Sequence, residues 1–313
     1  MADHQNAHFI TRSACPCCGG KNGAVLLDLP FTESPIRDYL VGFYEPQGGV
    51  EFDWLSGARF TLIECPDCGM IYQQHIGDDA LMERLYDRWI DPQKAFALYD
   101  GIHPPEHFIE LGRQIGNVLA YLGRNPREVS CLDFGMGWGH WCRVARGFGC
   151  QVWGTELSTA RIAYAEADGL RVLAWKDISA QRFDLINTEQ VFEHLPEPFE
   201  TLTYLAQSLK PGGLIRISVP DGWDIKRRLR VADWNAAKGS GDSLNPVAPL
   251  EHINCFSQNV IIRLAERAGL EQREVPEHFA TSLLDGVKGL VRPLAYRLLG
   301  RGVALYFTPK GAR

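Results

Sequence analysis

The feature that most constrains this chain is the run after Pro126, where short apolar segments and amphipathic ones alternate without a break. They read VSCLDFG, HWCRVARGFG, QVWGTEL, STARIAYAEADG and LRVLAWKDI, then FDLINTEQ, PFETLTYLAQSLKPGG and LIRISVP. The short apolar runs predict strands covered on both faces. Between them, Trp141, Val144, Ala145 and Phe148 recur at helical spacing, as do Ala160, Ala163, Tyr164 and Ala167, which predicts helices laid on a sheet. Strands and helices in that alternation form a doubly wound, Rossmann-like parallel α/β sheet, expected over residues 126–313.

The front of the chain is different. CPCCGG and CPDCGM each present Cys-x-x-Cys followed by glycine, so Cys15, Cys18, Cys65 and Cys68 can direct four thiolates at one tetrahedral ion. This is the spacing of a zinc ribbon, and a closed four-sulfur site is structural. Cys17 is an alternative ligand to Cys18, and a chance pairing of reduced cysteines is the bland reading. The small zinc-binding domain is expected over residues 1–75, with FDWLSGARFTLIEC as an antiparallel pair turning at SGA. Residues 76–125 read as bridging helices, broken at HPP near residue 104. On them Tyr86, Trp89, Tyr99 and His103 are either core or a pocket mouth.

In an open parallel sheet a ligand lies beyond the carboxyl ends of the strands. The first strand ends in LDFGMGWGH, whose Gly135, Gly137 and Gly139 admit a close approach of backbone to ligand. The glycine spacing departs from the dinucleotide fingerprint, because the third glycine arrives one residue early. Glu156 ends the second strand, where a carboxylate can accept hydrogen bonds from both hydroxyls of an adenosine ribose. Asp177 and Ile178 follow the third, an acid for the exocyclic amine of adenine and an apolar cover for its ring. Asp177 as a helix cap is the alternative.

On these pieces, residues from about 126 to 310 resemble the class I S-adenosylmethionine-dependent methyltransferases. The resemblance rests on LDFGMGWGH, Glu156, KDI, FDLINTEQVFEHLPEP, LKPGGLIRISVP and EHINCFS with the helix after it. It implies S-adenosylmethionine as methyl donor, with Asp133 supporting the loop and the amino acid part of the donor and Gln190 among the donor-contacting residues. A turn cap is the bland reading of Asp133. The cysteine-rich front is similar to that of sugar C-methyltransferases, which implies a substrate-side domain and a sugar, nucleotide sugar or glycan as the acceptor. Ubiquinone-type O-methyltransferases have an acid four residues before the histidine of FEHLPEP and are thought to hold a metal with it. Gln190 stands there in this chain, a departure that argues against a catalytic metal.

His194, in FEHLPEP, and His252, in PLEHINCFS, are the two candidate bases for a hydroxyl acceptor, since a neutral imidazole can take the proton that methylation displaces. Structural hydrogen bonding is the alternative for each. IKRRLR at 225–230 and the tail from Asp285, with Lys288, Arg292, Arg297, Arg301, Lys310 and Arg313, are basic stretches that could draw a phosphate or a peripheral membrane contact; a solvated face is the plain reading. A rival function is an RNA-directed methyltransferase or RNA-binding module that grips with the zinc ribbon. It needs a basic ribbon, yet between Cys15 and Cys68 only Lys21, Arg37 and Arg59 face Asp28, Glu33, Asp38, Glu45, Glu51, Asp53, Glu64 and Asp67, and the whole chain carries a net charge of -6. No nucleic-acid partner is therefore expected. No apolar run reaches the roughly 18 residues of a spanning helix. MADHQNAHFITRSAC lacks the n- and h-regions of a signal peptide, so a cytoplasmic location is expected.

Overall fold

A computed structural model describes residues 7–100, 103–279 and 304–311, apart from the side chains of Tyr99 and Asp100. In chain order the elements are β1 (Phe9–Thr11), β2 (Ala24–Pro30), α1 (Ile36–Tyr44), β3 (Arg59–Glu64), β4 (Ile71–Gln73), β5 (His75–Gly77), α2 (Asp79–Arg84), α3 (Pro92–Ala95) and α4 (Pro105–Leu122). The alternating part follows as β6 (Ser130–Phe134), α5 (His140–Gly147), β7 (Gln151–Thr155), α6 (Thr159–Ala167), β8 (Arg171–Val172), β9 (Phe183–Glu189), α7 (Pro198–Gln207) and β10 (Leu209–Ser218). The chain continues through α8 (Ile225–Val231), β11 (Asn254–Cys255), α9 (Gln258–Arg267), β12 (Leu270–Arg273) and β13 (Ala304–Pro309).

Two compact units result, and they do not follow chain order. One comprises Ile102–Phe192, Phe199–Val219 and Ile261–Arg313; the other comprises Met1–Gly101 with Glu193–Pro198 and Pro220–Val260. Where the sequence reading keeps 126–313 together, two of its segments cluster with the cysteine-rich front.

The first unit holds a seven-stranded sheet in the order β12-β13-β10-β9-β6-β7-β8. From β10 to β8 the strands are parallel, and β13 is antiparallel to both β10 and β12. The chain runs outward from β6 through β7 and β8, then returns to β9 on the other side of β6, so the order reverses at the carboxyl ends of β6 and β9. β6 and β9 are buried along nearly their whole lengths, as continuous apolar runs require. On α5, Trp141, Cys142 and Ala145 face the core, whereas Phe148, expected on the same side, is exposed just after the helix. α6 differs from expectation: Ala165 is its buried residue, while Ala160, Ala163, Tyr164 and Ala167 are exposed. Alanines carry little preference for either side, and the Tyr164 ring lies edge-on to Trp138 with the Arg143 guanidinium against it.

The other unit is built on a four-stranded antiparallel sheet, β11-β4-β3-β2, and a β1–β5 ladder. Ile36, Leu40 and Tyr44 recur every four residues on α1 and are fully buried, packed in one cluster with Phe60, Leu62 and Trp89. Val247, Leu250 and Cys255 join that cluster from far along the chain. Trp89 is thus core. FDWL forms a 3-10 turn, Phe52–Leu55, rather than a strand, because a three-residue spacing brings both Phe52 and Leu55 onto the same cluster. The partners of β3 are instead β2 and β4. A break does occur at Pro104, which caps α4. Among the described residues no helix is long and apolar enough to cross a membrane.

Candidate donor site, histidine cluster and cysteine knuckles

Gly135, Gly137 and Gly139 all take positive φ, at 76°, 54° and 79°. The loop is tied down at its root: Gly135 N donates to Thr155 Oγ1 at 3.2 Å and Met136 N to Thr155 O at 2.9 Å. A Cβ on Gly135 would lie 2.5 Å from Val191 Cγ2, and one on Gly139 would lie 2.7 Å from Leu170 Cδ1. At Gly137 nothing lies within 4 Å. The outer glycines therefore allow packing against protein, and the middle one opens onto space that a ligand can use.

Glu156 follows β7 and is mostly buried, 10% of its side chain being exposed. Its Oε2 accepts from Gly137 N at 3.0 Å, and its Oε1 accepts from Leu157 N at 2.8 Å and Ser158 N at 3.1 Å. The carboxylate is thus satisfied by backbone amides and braces the glycine loop before any ribose arrives. Asp177 is exposed inside a 3-10 turn, Trp175–Ala180, whose N-cap is Ala174, so it caps no helix. Ile178 is fully buried and presents no face to a ring. The apolar surfaces at these strand ends are Leu157, 93% exposed, and Trp175, 45% exposed and packed against Phe134 and Tyr204. The sequence reading gives no role to Leu157 and, at the end of the third strand, chooses Ile178 over Trp175 as the apolar cover. The available signal was position, since Leu157 and Trp175 each lie within three residues of a strand end.

Asp133 is buried in β6 and accepts from Asn187 Nδ2 at 2.7 Å, with the Cys142 thiol at 3.6 Å. It is not a turn cap. Burial pushes its carboxyl up to about 7, although the bonds from Asn187 and Cys142 oppose the shift. Asn187 in turn accepts from the buried Arg216 at 3.0 Å, and Arg216 also pairs with Glu189, which takes a second bond from Ser218 Oγ at 2.9 Å. Gln190 continues from Glu189 with φ 54°, its N–H on Ser218 O at 2.8 Å. The polar chain therefore runs from beneath the glycine loop to the end of β9.

In the other unit His194 and His252 meet edge to face, ring centres 4.8 Å apart. Glu193 lies beside them, and ligand atoms of the three residues fall within 4.8 Å of one another. His252 Nδ1 is hydrogen-bonded to Asn245 O, which places its proton on Nδ1 and leaves Nε2 as the basic nitrogen. The Tyr86 hydroxyl is 3.4 Å from His194 Nδ1. Burial pulls the His194 imidazole down to about 4 and His252 well below the ordinary value, with Lys238 adding to both effects. Both rings are neutral at pH 7. Of the other bridging aromatics, His103 stacks on His107 at 3.9 Å, and the Tyr99 side chain lies outside the described residues.

The four cysteines come together as a set, Cys15 Sγ 3.6 Å from Cys68 Sγ and Cys18 Sγ 3.5 Å from Cys65 Sγ. A tetrahedral ion with metal–sulfur bonds of about 2.3 Å needs sulfurs about 3.8 Å apart, so the set fits one. Cys17, though buried, is outside it. The two knuckles share one backbone form: Gly19 N donates to Cys15 O and Gly69 N to Cys65 O, while Cys15 N and Cys65 N each close onto the residue five further on. Gly19 and Gly69 have φ near 80°, and a Cβ on Gly20 would strike Asp67 Oδ2 at 2.3 Å.

The basic stretch at 225–230 is largely neutralised. Lys226 pairs with Glu64 at 2.7 Å, Arg227 with Asp224 and Asp242, and Arg228 is buried on Asp224 at 2.7 Å. Of the tail, Asp285, Lys288, Arg292, Arg297, Arg301 and Arg313 lie outside the described residues, and Lys310 reaches Glu266 O at 3.3 Å.

A family model described as a methyltransferase domain matches residues 107–275, more than half of the chain, including the glycine loop, Glu156, Asp177 and Gln190. The chain is similar to the ubiquinone biosynthesis O-methyltransferase of Burkholderia orbicola, 24% identical over 219 residues that cover 63% of this chain and 88% of that one. To the protein of the same description from Saccharophagus degradans it is 24% identical over 224 residues, 66% and 89% of the two chains. Among solved structures, the plantazolicin methyltransferase BpumL in complex with SAH is 17% identical with a TM-score of 0.46, over 74% of this chain and 95% of that one. The chain belongs to the methyltransferase-domain family and is a class I S-adenosylmethionine-dependent methyltransferase.

Proposed function

We propose that the enzyme methylates a hydroxyl of a small polar acceptor, and that a neutral histidine, His252 with His194 beside it, removes the proton. One observation carries this reading: His252 Nδ1 is committed to Asn245 O, so Nε2 is the nitrogen that can accept a proton. Only Val191, Phe192 and Glu193 separate Gln190 from His194 in the chain. The donor side is assigned to Gly135, Gly137, Gly139, Glu156, Asp177 and Gln190, with Leu157 and Trp175 as the apolar surfaces in place of Ile178. Asp133 underlies the loop. The displacement is in line at a sulfonium methyl, so the chain's tasks are alignment and proton removal.

The acceptor class has two supports of different kind. Resemblance of the cysteine-rich front to sugar C-methyltransferases favours a sugar, nucleotide sugar or glycan. The relatives named for ubiquinone biosynthesis favour a phenolic hydroxyl. Incubation with labelled donor and a panel of nucleotide sugars, glycans, phenols and quinols, read by mass spectrometry, decides between them. An oxygen-bound methyl whose appearance slows 10²- to 10⁴-fold in His252→Ala is expected. Normal turnover of His252→Ala and of His194→Ala, or a methyl found on carbon or nitrogen, defeats the reading. An RNA substrate fits poorly with the acidic front. For the four cysteines we propose one structural zinc ion.

A further inference from the structure

Two side chains of the cysteine-rich front hold the segments that carry both histidines. The Arg12 guanidinium donates through Nε to Gln73 O at 2.9 Å, through Nη2 to Gln73 O and Ile253 O at 2.6 Å each, and through Nη1 to Asn254 Oδ1 at 2.9 Å. It lies over the Tyr72 ring at 5.0 Å. Asn254, fully buried, passes the contact on through Nδ2 to Leu195 O at 2.6 Å, next to His194. Gln73, 1% exposed, donates through Nε2 to Ala248 O at 3.0 Å and to His252 O at 3.1 Å, and its own N–H reaches Ile253 O at 2.9 Å. The ladder completes the join: β4 pairs with β11, Tyr72 opposite Asn254 and Ile71 opposite Cys255.

These contacts converge on one place. The carbonyls of His252 and Ile253 are both held, the loop from Ala248 to His252 is closed by a single amide, and the His194 segment is tied to the same guanidinium through Asn254. Arg12 lies three residues before Cys15, and Gln73 ends the strand that leaves the second knuckle after Met70, whose carbonyl accepts from Cys65 N at 2.8 Å. A fork of donors shared among three carbonyl oxygens is geometry that only arginine supplies.

We infer that Arg12 and Gln73 are positioning residues for the histidine pair, so that the four-cysteine piece sets the orientation of the base. The inference rests on the reading of His252 and His194 as proton acceptors. Apart from the bonds of Arg12 to Gln73 O, the hydrogen bonds of both side chains go to the segments that carry the histidines, and each acts through that backbone. A misplacement of about 1 Å at such a group is enough to cost 10²-fold in rate.

The test uses full-length protein labelled with nitrogen-15 at histidine, in wild type, Gln73→Leu, Arg12→Lys and Arg12→Ala. In wild type, His252 should show one protonated ring nitrogen, Nδ1, and one unprotonated nitrogen. In Gln73→Leu and Arg12→Lys that pattern should give way to averaged signals from both nitrogens, while calorimetry with S-adenosylhomocysteine shows unchanged affinity. Should Arg12→Ala fail to fold, Gln73→Leu and Arg12→Lys still give the answer. Retention of the wild-type pattern in folded Gln73→Leu and Arg12→Lys overturns the positioning role, even if His252→Ala is inactive. Normal turnover by His252→Ala and His194→Ala removes the base reading and this role with it, whatever the spectra show.

Discussion

Asp133 lies within β6 and Glu156 just after β7, and the two acids are held by different kinds of partner. Asp133 is enclosed, and its carboxyl is raised from 3.8 to about 7, chiefly by burial. A raised folded-state value means that the protonated acid is the form the fold prefers. Its contribution is complete below about pH 4 and is lost as pH rises through 7, a change on the order of a few kcal/mol. Melting curves of Asp133→Asn and wild type at pH 5 and pH 8 should therefore show the variant gaining on wild type at the higher pH; an equal offset at both would contradict this. His194, lowered to about 4, works in the other direction, its stabilising share being present above about 6.5 and lost as pH falls toward 4. Glu156 is met by three amides. Calorimetry with S-adenosylhomocysteine should show Glu156→Ala weakening binding by about 1.5 to 3 kcal/mol, the scale of a lost charged hydrogen bond. Unchanged affinity would remove Glu156 from the donor site. Position at a strand end was legible for Glu156 in the sequence; the amides that satisfy it were not, because Leu157 N and Ser158 N close on it through a local turn and Gly137 N reaches it from a loop whose path depends on left-handed glycines.

At the scale of elements, the glycine loop offers a graded test. Alanine at Gly135 faces both an unfavourable φ and a Cβ 2.5 Å from Val191, whereas alanine at Gly137 faces only the φ. Gly135→Ala should therefore lower the melting temperature clearly, and Gly137→Ala by about 1 kcal/mol of stability, the cost of a left-handed alanine. Thermal melts without ligand separate the two, and equal losses would show that Val191 yields. The succession of strands and helices from β6 to β10 could be read from the sequence because buried parallel strands are continuous apolar runs. The inward side of α6 could not, since its alanines are nearly neutral to burial and Tyr164 finds partners on the outside. The 3-10 turn at Phe52–Leu55 was also hidden, as four residues hold too little periodicity to separate a strand from a turn.

At the scale of the whole molecule, the division into units depends on contacts between residues far apart in the chain. Ile225, Val247, Leu250 and Cys255 pack with Phe60 and Trp89, while Ile115, Cys131 and Ala145 belong to a separate cluster. No local pattern announces that residues 220–260 join the front, because β11 is two residues long and its partner β4 is three. This arrangement sets what loss of the proposed zinc ion would do. Protein purified without added metal should contain one zinc ion per chain by elemental analysis. Cys65→Ser removes one of the four ligands and a strong chelator removes the ion itself, whose binding energy would be folding energy. The damage should spread along β4 and β11 to the segment of His252. Hydrogen exchange should accordingly rise in peptides covering 60–75 and 244–256. Peptides covering β6 and β9, whose core contains none of those residues, should keep their protection, and S-adenosylhomocysteine should still bind. A metal-free protein with the same melting profile, or loss of protection in β6 and β9 together with the front, would show that the cysteine set does not carry the front unit's stability in this way.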